Sequence, residues 1–210
     1  MTRIVIADDH SIVRRGLKHL FTITPGLELV AEAANGDEVL AALRQTSCDL
    51  LIMDLNMPGL SGPDLITRVK AHLPKLPILV LSMHNTAQVA SRALKAGASG
   101  YITKDCEPED LIAAIRQVTQ GRRYIAATVA QEMALLSTSN DDPLAHATLS
   151  DREFEVFQLL IKGNSLNDIA EQLSISAKTV STHKMRLMEK LKTASMAELM
   201  LYAMEHQLLG

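Results

Sequence analysis

Tryptophan is absent and aromatic residues make up only 3% of the 210, so the core has to be built from Leu, Ile, Val, Met and Ala. No run of about 18 apolar residues occurs, which excludes a membrane-spanning helix. No apolar signal core opens the chain either, because Asp8, Asp9 and His10 break the first strand-like run. Cysteine is scarce: Cys48 and Cys106 stand at no metal or redox spacing, so a reduced, cytoplasmic protein is expected. No sign of charge dominates. The net charge of −3 excludes a wholly basic nucleic-acid coat but leaves room for a local basic patch. What is present is ordinary for globular chains, with 47% apolar and 21% charged residues, and the length suits one large domain or two small ones.

Charge divides the chain. Residues 1–136 balance 14 basic against 14 acidic side chains. Residues 137–147, with Asp141, Asp142 and one Pro, read as a linker. In residues 176–192, Lys178, Lys184, Arg186, Lys190 and Lys192 face Glu189 alone, so positive charge gathers on one expected helix.

The first segment alternates strand and helix. Strands are expected at Arg3–Ala7, Leu27–Ala33, Asp49–Met53, Pro77–Ser82 and Gly100–Thr103. Helices are expected at Ser11–Thr22, Asp37–Gln45 with Asp37 as N-cap, Asp64–His72, Thr86–Ala96 and Pro108–Gln120. Five such units predict an α/β fold, a doubly wound parallel sheet covered on both faces. Ligands of such sheets bind beyond the strand C-termini. Asp8 and Asp9, Asp54, Ser82 and Lys104 all follow or end strands there. Converging carboxylates need a cation, and hard oxygen donors suit Mg²⁺ beside phosphate. A hydroxyl and a Lys hold phosphoryl oxygens, and a carboxylate can accept the phosphoryl group. Any one of these residues alone is ordinary turn chemistry; five in one place are not.

Residues 1–124 resemble the receiver domain of two-component response regulators, through Ile6–His10 (IADDH), Leu51–Gly62 (LIMDLNMPGLSG), Leu81–Met83 (LSM) and Gly97–Lys104 (GASGYITK). The resemblance implies a flavodoxin-like, five-stranded sheet of order 2-1-3-4-5. It implies phosphorylation at Asp54 and a Mg²⁺ site made by Asp8, Asp9, Asp54 and the Asn56 carbonyl. It assigns phosphoryl binding to Ser82 and Lys104, and makes Tyr101 the aromatic that turns inward when Ser82 moves. Asp105 stands where the family often has a cis Pro.

The remaining residues read as four helices. Ser150-x-x-Glu153 and Ser165-x-x-Asp168 are capping boxes. Gly163 closes the first helix, Ser174–Ser176 is a tight turn, and Ser176 caps a longer helix to about Lys192. This longer helix sets Val180, His183, Leu187 and Leu191 against Lys178, Ser181, Thr182, Met185, Arg186 and Glu189 on the other side. Lys184 falls at the core edge, with its stem packed and its head free to reach a backbone phosphate. His183 is expected to pack or to touch phosphate rather than bind metal. Residues 149–206 resemble the LuxR-type DNA-binding domain, through Leu149–Val156, Gly163–Ala170, Leu173–His183 and Leu187–Leu191. The resemblance implies DNA contacts from Lys178, Thr179, Ser181, Thr182, Lys184, Met185 and Arg186. Ser181 and Met185 depart from a pattern in which basic residues are common.

The last helix holds more apolar groups than one core stripe uses, so some are exposed or meet a partner; the resemblance implies a two-fold dimer through this helix, with Leu201 and Met204 as its expected contacts. The resulting organisation is a receiver at 1–124, a connecting helix and linker at 125–147, and a helix-turn-helix domain at 148–210. Receiver, linker and LuxR-type domain in that order resemble NarL/FixJ-type response regulators. The partners implied are a sensor histidine kinase, double-stranded promoter DNA, a second copy on activation, and RNA polymerase. A Mg²⁺-dependent phosphatase with an Asp nucleophile would use similar groups, but usually shows Asp-x-Asp after the first strand. A regulator whose receiver works without phosphorylation would not need the intact acidic set.

Overall fold

A computed structural model describes residues 1–83, 87–138, 145–173, 175–206 and 208. Thr86, the linker residues 139–144 including Asp141 and Asp142, and Ser174 lie outside the described residues. Two compact units, Met1–Ser139 and Asn140–Gly210, make up the chain.

In the first unit, strands β1 (Thr2–Ala7), β2 (Leu27–Ala33), β3 (Leu50–Met53), β4 (Ile78–Ser82) and β5 (Gly100–Thr103) alternate with helices. These are α1 (Ser11–Ile23), α2 (Gly36–Gln45), α3 (Gly62–His72), α4 (Ala87–Ala96) and α5 (Pro108–Thr119). A two-residue strand β6 (Tyr124–Ile125) and helix α6 (Ala127–Thr138) follow. All strands pair in parallel, in the order β2-β1-β3-β4-β5-β6. The period of two along each strand sends alternate residues to opposite faces. Val5, Leu51, Met53, Val80 and Tyr101 meet Val39, Leu65, Ile66, Val69 and Ala90 of α2, α3 and α4. Ile4, Ile6, Leu50, Ile52, Leu79 and Ile102 meet Leu17, Phe21, Leu111 and Ile115 of α1 and α5.

The sheet has six strands where five were expected. The addition is small: Tyr124 N–H donates to Ser99 O at 3.2 Å and Ala126 N–H to Tyr101 O at 3.1 Å. Two residues carry no readable periodicity, and only their place beside β5 makes them a strand. Packing then continues into α6. Val129 is fully buried against the α4 side of the sheet, and Glu132 Oε2 accepts from Ala87 N–H at the start of α4. A second correction concerns α2. Asn35, not Asp37, is its N-cap, accepting from Glu38 N–H at 2.9 Å, while Glu38 reaches back to Ala34 N–H. Asp37 lies in the first turn, where its charge favours the positive end of the helix. No cis peptide bond occurs among the described residues.

The second unit opens with a 3₁₀ turn at Ala145–Thr148, followed by α7 (Asp151–Ile161), α8 (Leu166–Gln172), α9 (Ala177–Leu191) and α10 (Met196–Glu205). Four serines cap these helices. Ser150 and Ser165 form complete capping boxes, and Ser176 and Ser195 accept from Thr179 and Glu198 N–H. Gly163 follows α7 with φ of 84°, a left-handed conformation that glycine adopts without strain. The core gathers Leu149, Phe157, Ile169, Val180, Leu187, Leu199 and Ala203. Between α7 and α9, Lys190 Nζ lies 2.6 Å from Glu153 Oε2 and 3.2 Å from Thr148 O. Burial works to raise the Glu153 pKa, but the Lys190 and Ser150 hydrogen bonds outweigh it and leave it lowered.

Two stability predictions follow from this packing. A Cβ at Gly36 would overlap the Leu60 carbonyl oxygen, whereas one at Gly16 meets nothing. Gly36→Ala is expected to cost about 1–3 kcal/mol in urea unfolding of the first unit. Gly16→Ala should instead stabilise by roughly 0.5–1 kcal/mol, since Gly16 lies within α1. Lys190→Met leaves Glu153 buried and unpaired; because Lys190 itself is partly solvated, the expected loss is about 1–2 kcal/mol. The contribution of Glu153 is present above its unfolded carboxyl pKa and disappears as pH falls through the lower folded value. The difference between wild type and Lys190→Met should therefore shrink on acidification, as read by denaturation at a series of pH values.

Candidate functional site

The sheet order sets the first site. β1 and β3 are neighbours with Ala7 opposite Met53, so Asp8 and Asp54, each one residue further on, emerge side by side. Backbone bonds carry the pairing past the strand ends: Asp8 N–H donates to Ala33 O, Asp54 N–H to Ala7 O, and Lys104 N–H to Ser82 O. β4 separates β5 from β3. Strands lie ~4.8 Å apart, so ~10 Å lies between Lys104 and Asp54 backbones, a gap that calls for a long side chain. Lys104 spans it. Its Nζ stands 2.8 Å from Asp54 Oδ2 and 2.7 Å from Asp8 Oδ2. The contact with Asp54 is a well-formed hydrogen bond, and the contact with Asp8 is a charge contact without good hydrogen-bond geometry.

Asp8, Asp54 and Lys104 are all nearly excluded from solvent. Burial raises the Asp54 pKa, the Lys104 charge opposes that rise, and the Asp8 charge adds to it. Burial alone would lower the Lys104 pKa, but the two carboxylates more than reverse it. Asp54 Oδ1 is buried with no hydrogen-bond partner. Asp9 lies at the rim, and oxygens of Asp8, Asp9 and Asp54 and a ring nitrogen of His10 fall within 4.8 Å of one another. Three carboxylates therefore face one ammonium. The excess negative charge and the unpaired buried oxygen both suit a hard divalent cation.

Ser82 ends β4 and is fully buried, as is Tyr101 on β5, whose partner across the pair is Val80. Asn56 is half-buried in the loop two residues beyond Asp54. Two residues with a place here escaped the sequence reading. His10 sits at the N-cap of α1 and turns towards the acids, signalled only by adjacency to Asp8 and Asp9. Arg14 fixes the loop by donating to Asp8 O at 2.5 Å, one helical turn on, with nothing in the sequence to mark it. A groove of about 1000 Å³ lies at the other end of the sheet, lined by Asp49, Pro77 and Ser99, away from all this chemistry.

The second site is the outer face of α9. Lys178, Thr179, Ser181, Met185 and Arg186 are exposed, and Thr182 and Lys184 are intermediate. Thr179 pairs its hydroxyl with Ser176 at 2.8 Å, and Thr182 donates to Lys178 O at 3.0 Å. Lys190, counted above with the positive helix, lies off this face and pairs with Glu153. His183 is half-buried. Its Nδ1 has no hydrogen-bond partner, and burial followed by the Arg152 charge lowers its pKa. On α10, Leu201 and Met204 are each 58% exposed, so two large apolar groups point away from the core that Leu199 and Ala203 fill. Among the described residues, no helix is long and apolar enough to cross a membrane.

Comparison with known proteins agrees with this geometry. Residues 4–116 match the response regulator receiver domain, and residues 147–203 match the luxR family of bacterial regulatory proteins. The chain is 32% identical to the response regulator UvrY of Escherichia coli over 209 residues, 99% of this chain and 96% of UvrY. It is 37% identical to the oxygen regulatory protein NreC of Staphylococcus epidermidis over 215 residues, 99% of each chain. Among solved structures, the response regulator RcsB of Salmonella typhimurium aligns over 97% of this chain and 98% of its own, with TM-score 0.62 and 30% identity. The RcsB–DNA complex aligns over the same shares with TM-score 0.62 and 29% identity. With a receiver followed by a LuxR-type helix-turn-helix domain, the chain belongs to the NarL/FixJ-type two-component response regulators, which are DNA-binding transcription regulators rather than enzymes.

Proposed function

We propose that Asp54 is the phosphoacceptor of this regulator and that its phosphorylation controls dimerisation and promoter binding. The observation that carries this is the unpaired, buried Asp54 Oδ1 beside an ammonium already in place on Oδ2. Oδ1 attacks phosphorus of a phosphohistidine on a partner sensor kinase. The P–O bond to Asp54 forms, the P–N bond breaks, and the imidazole leaves with the electron pair. Lys104 follows the transferred group and holds its oxygens, with the Ser82 hydroxyl as a second donor. Asp8, Asp9, Asp54 and the Asn56 carbonyl would hold Mg²⁺, which when bound neutralises charge in the transfer.

Movement of Ser82 towards the phosphoryl group would bias Tyr101, which is supported by their places on neighbouring strands. From Tyr101 a physical route leads on. Its carbonyl holds Ala126 at the head of α6, and Glu132 of α6 caps α4. A shift at β5 would thus load the segment that precedes the DNA-binding unit. The unphosphorylated receiver (residues 1–124) is taken to mask the recognition helix, and phosphorylation to free residues 148–210 through the connector at 125–147, as a population shift.

On DNA, Lys178 and Thr179 at the head of α9, Arg186 and the stem-packed Lys184 contact phosphates, while Ser181, Thr182 and Met185 face base edges. Leu201 and Met204 form the two-fold contact, which brings two recognition helices to paired half-sites. The regulator would act in the cytoplasm, with RNA polymerase as a further partner. That the similar regulator RcsB has been solved in complex with DNA supports DNA binding by this chain.

Acetyl phosphate with Mg²⁺ should add one labile phosphoryl group to the wild type and none to Asp54→Asn, read by intact mass. The same samples on a sizing column should show a dimer shift for the wild type alone; an adduct surviving in Asp54→Asn would remove Asp54 from the role. For the DNA face, Lys178→Ala should weaken binding to specific and unrelated duplexes alike and reduce the log–log salt slope by about 0.9. Loss confined to one operator would instead make Lys178 a base reader.

A further inference from the structure

We infer that His10 supplies an imidazole nitrogen to the cation site of Asp8, Asp9 and Asp54, making the pocket favour first-row transition dications more than an all-oxygen set would. This rests on the cation-binding receiver proposed above and concerns which ion that pocket selects.

His10 occupies the N-cap position of α1, yet its side chain makes no capping hydrogen bond. The ring folds back over the acids instead. Nδ1 lies 2.8 Å from Asp9 Oδ1 and 3.2 Å from Asp8 Oδ1. The backbone of His10 secures the same carboxylate, with its N–H donating to Asp8 Oδ1 at 2.9 Å. In an octahedral site with metal–ligand bonds of about 2.1 Å, adjacent ligand atoms stand about 3.0 Å apart. The two separations fall on either side of that value. A nitrogen placed to share an ion with both carboxylates would be found at such distances.

A second observation, independent of the ring, shows that this corner lacks a positive partner. Asp54 is 3% exposed and its Oδ1 has no hydrogen-bond partner, although Lys104 occupies Oδ2. The donor chemistry then decides selectivity. Mg²⁺ takes oxygen ligands and keeps waters, so a ring nitrogen adds little for it. Imidazole binds the later divalent ions of the first row well, and affinity rises along that row. The ring side chain is 63% exposed, so its proton can exchange to Nε2 through solvent and free the Nδ1 lone pair for the ion. The simpler role, a ring that only donates to Asp8 and Asp9, would improve both kinds of cation site equally or neither.

The test compares full-length wild type with His10→Ala, a change at an exposed side chain outside both cores. Co²⁺ and Mg²⁺ affinities are measured calorimetrically, and Co²⁺-loaded samples are examined by proton NMR. His10→Ala should lose at least about tenfold in Co²⁺ affinity while keeping its Mg²⁺ affinity. It should also lose a hyperfine-shifted imidazole N–H signal present in the wild type. Equal losses for both ions, unchanged Co²⁺ affinity, or no shifted ring signal in the wild type would overturn the assignment of His10. Failure of the wild type to bind Mg²⁺ would instead sink the Mg²⁺-dependent phosphotransfer reading, and Co²⁺ binding that still depends on His10 would leave this inference standing.

Discussion

One buried ammonium governs the acidic edge of the sheet. Lys104 reaches past the end of β4 to lie within 2.8 Å of carboxylate oxygens from both β1 and β3. Without it, Asp8 and Asp54 would bring two charges out of water against each other. With it, the pair is held but not satisfied, since Asp54 Oδ1 stays unpartnered. The site therefore keeps an excess of negative charge that suits a cation. The same ammonium that stabilises the resting acids lies where a phosphoryl group on Asp54 would need it.

The second unit solves a different problem. Seventy-one residues can bury little, so its short helices lean on their ends. Four serine caps start the helices, and the Lys190–Glu153 pair ties α9 to the capping box of α7. That pair diverts one cation from the basic helix. α9 therefore offers less free positive charge than its sequence suggests, and the proposed two-fold contact through Leu201 and Met204 would compensate by doubling the contacts.

Much of the receiver was legible because long-range and local signals agree. Leu50–Met53 and Ile78–Leu81 are apolar throughout, as strands covered on two faces must be, and the polar residues that end such runs, such as Ser82, fall at the functional edge. The caps at Ser150 and Ser165 were legible for a local reason, since a hydroxyl three residues before a matching carboxylate leaves few other uses, whereas the cap at Ser195 was not read from the sequence. At α2 the same spacing marks Asn35, with Glu38 three residues on, whereas Asp37, a good cap by residue type alone, has Leu40 there. β6 and the docking of α6 were hidden. Tyr124 and Ile125 form a strand only because Ser99 and Tyr101 offer backbone partners, and Glu132 is a cap for a helix 45 residues away.

By itself, the sequence determined the order of strands and helices, the two-unit plan, and the residue types at the strand ends, because hydrophobic period, capping spacing and turn chemistry are local. Only the tertiary structure decided which groups meet. The distances from Lys104 to two carboxylates, the unpaired oxygen of Asp54, the ring of His10 turned onto Asp8 and Asp9, and the pairing of Lys190 with Glu153 all depend on strand order and helix packing. Those are contacts between residues far apart in the chain or folded back at a helix start, and a one-dimensional pattern carries neither their distance nor their direction.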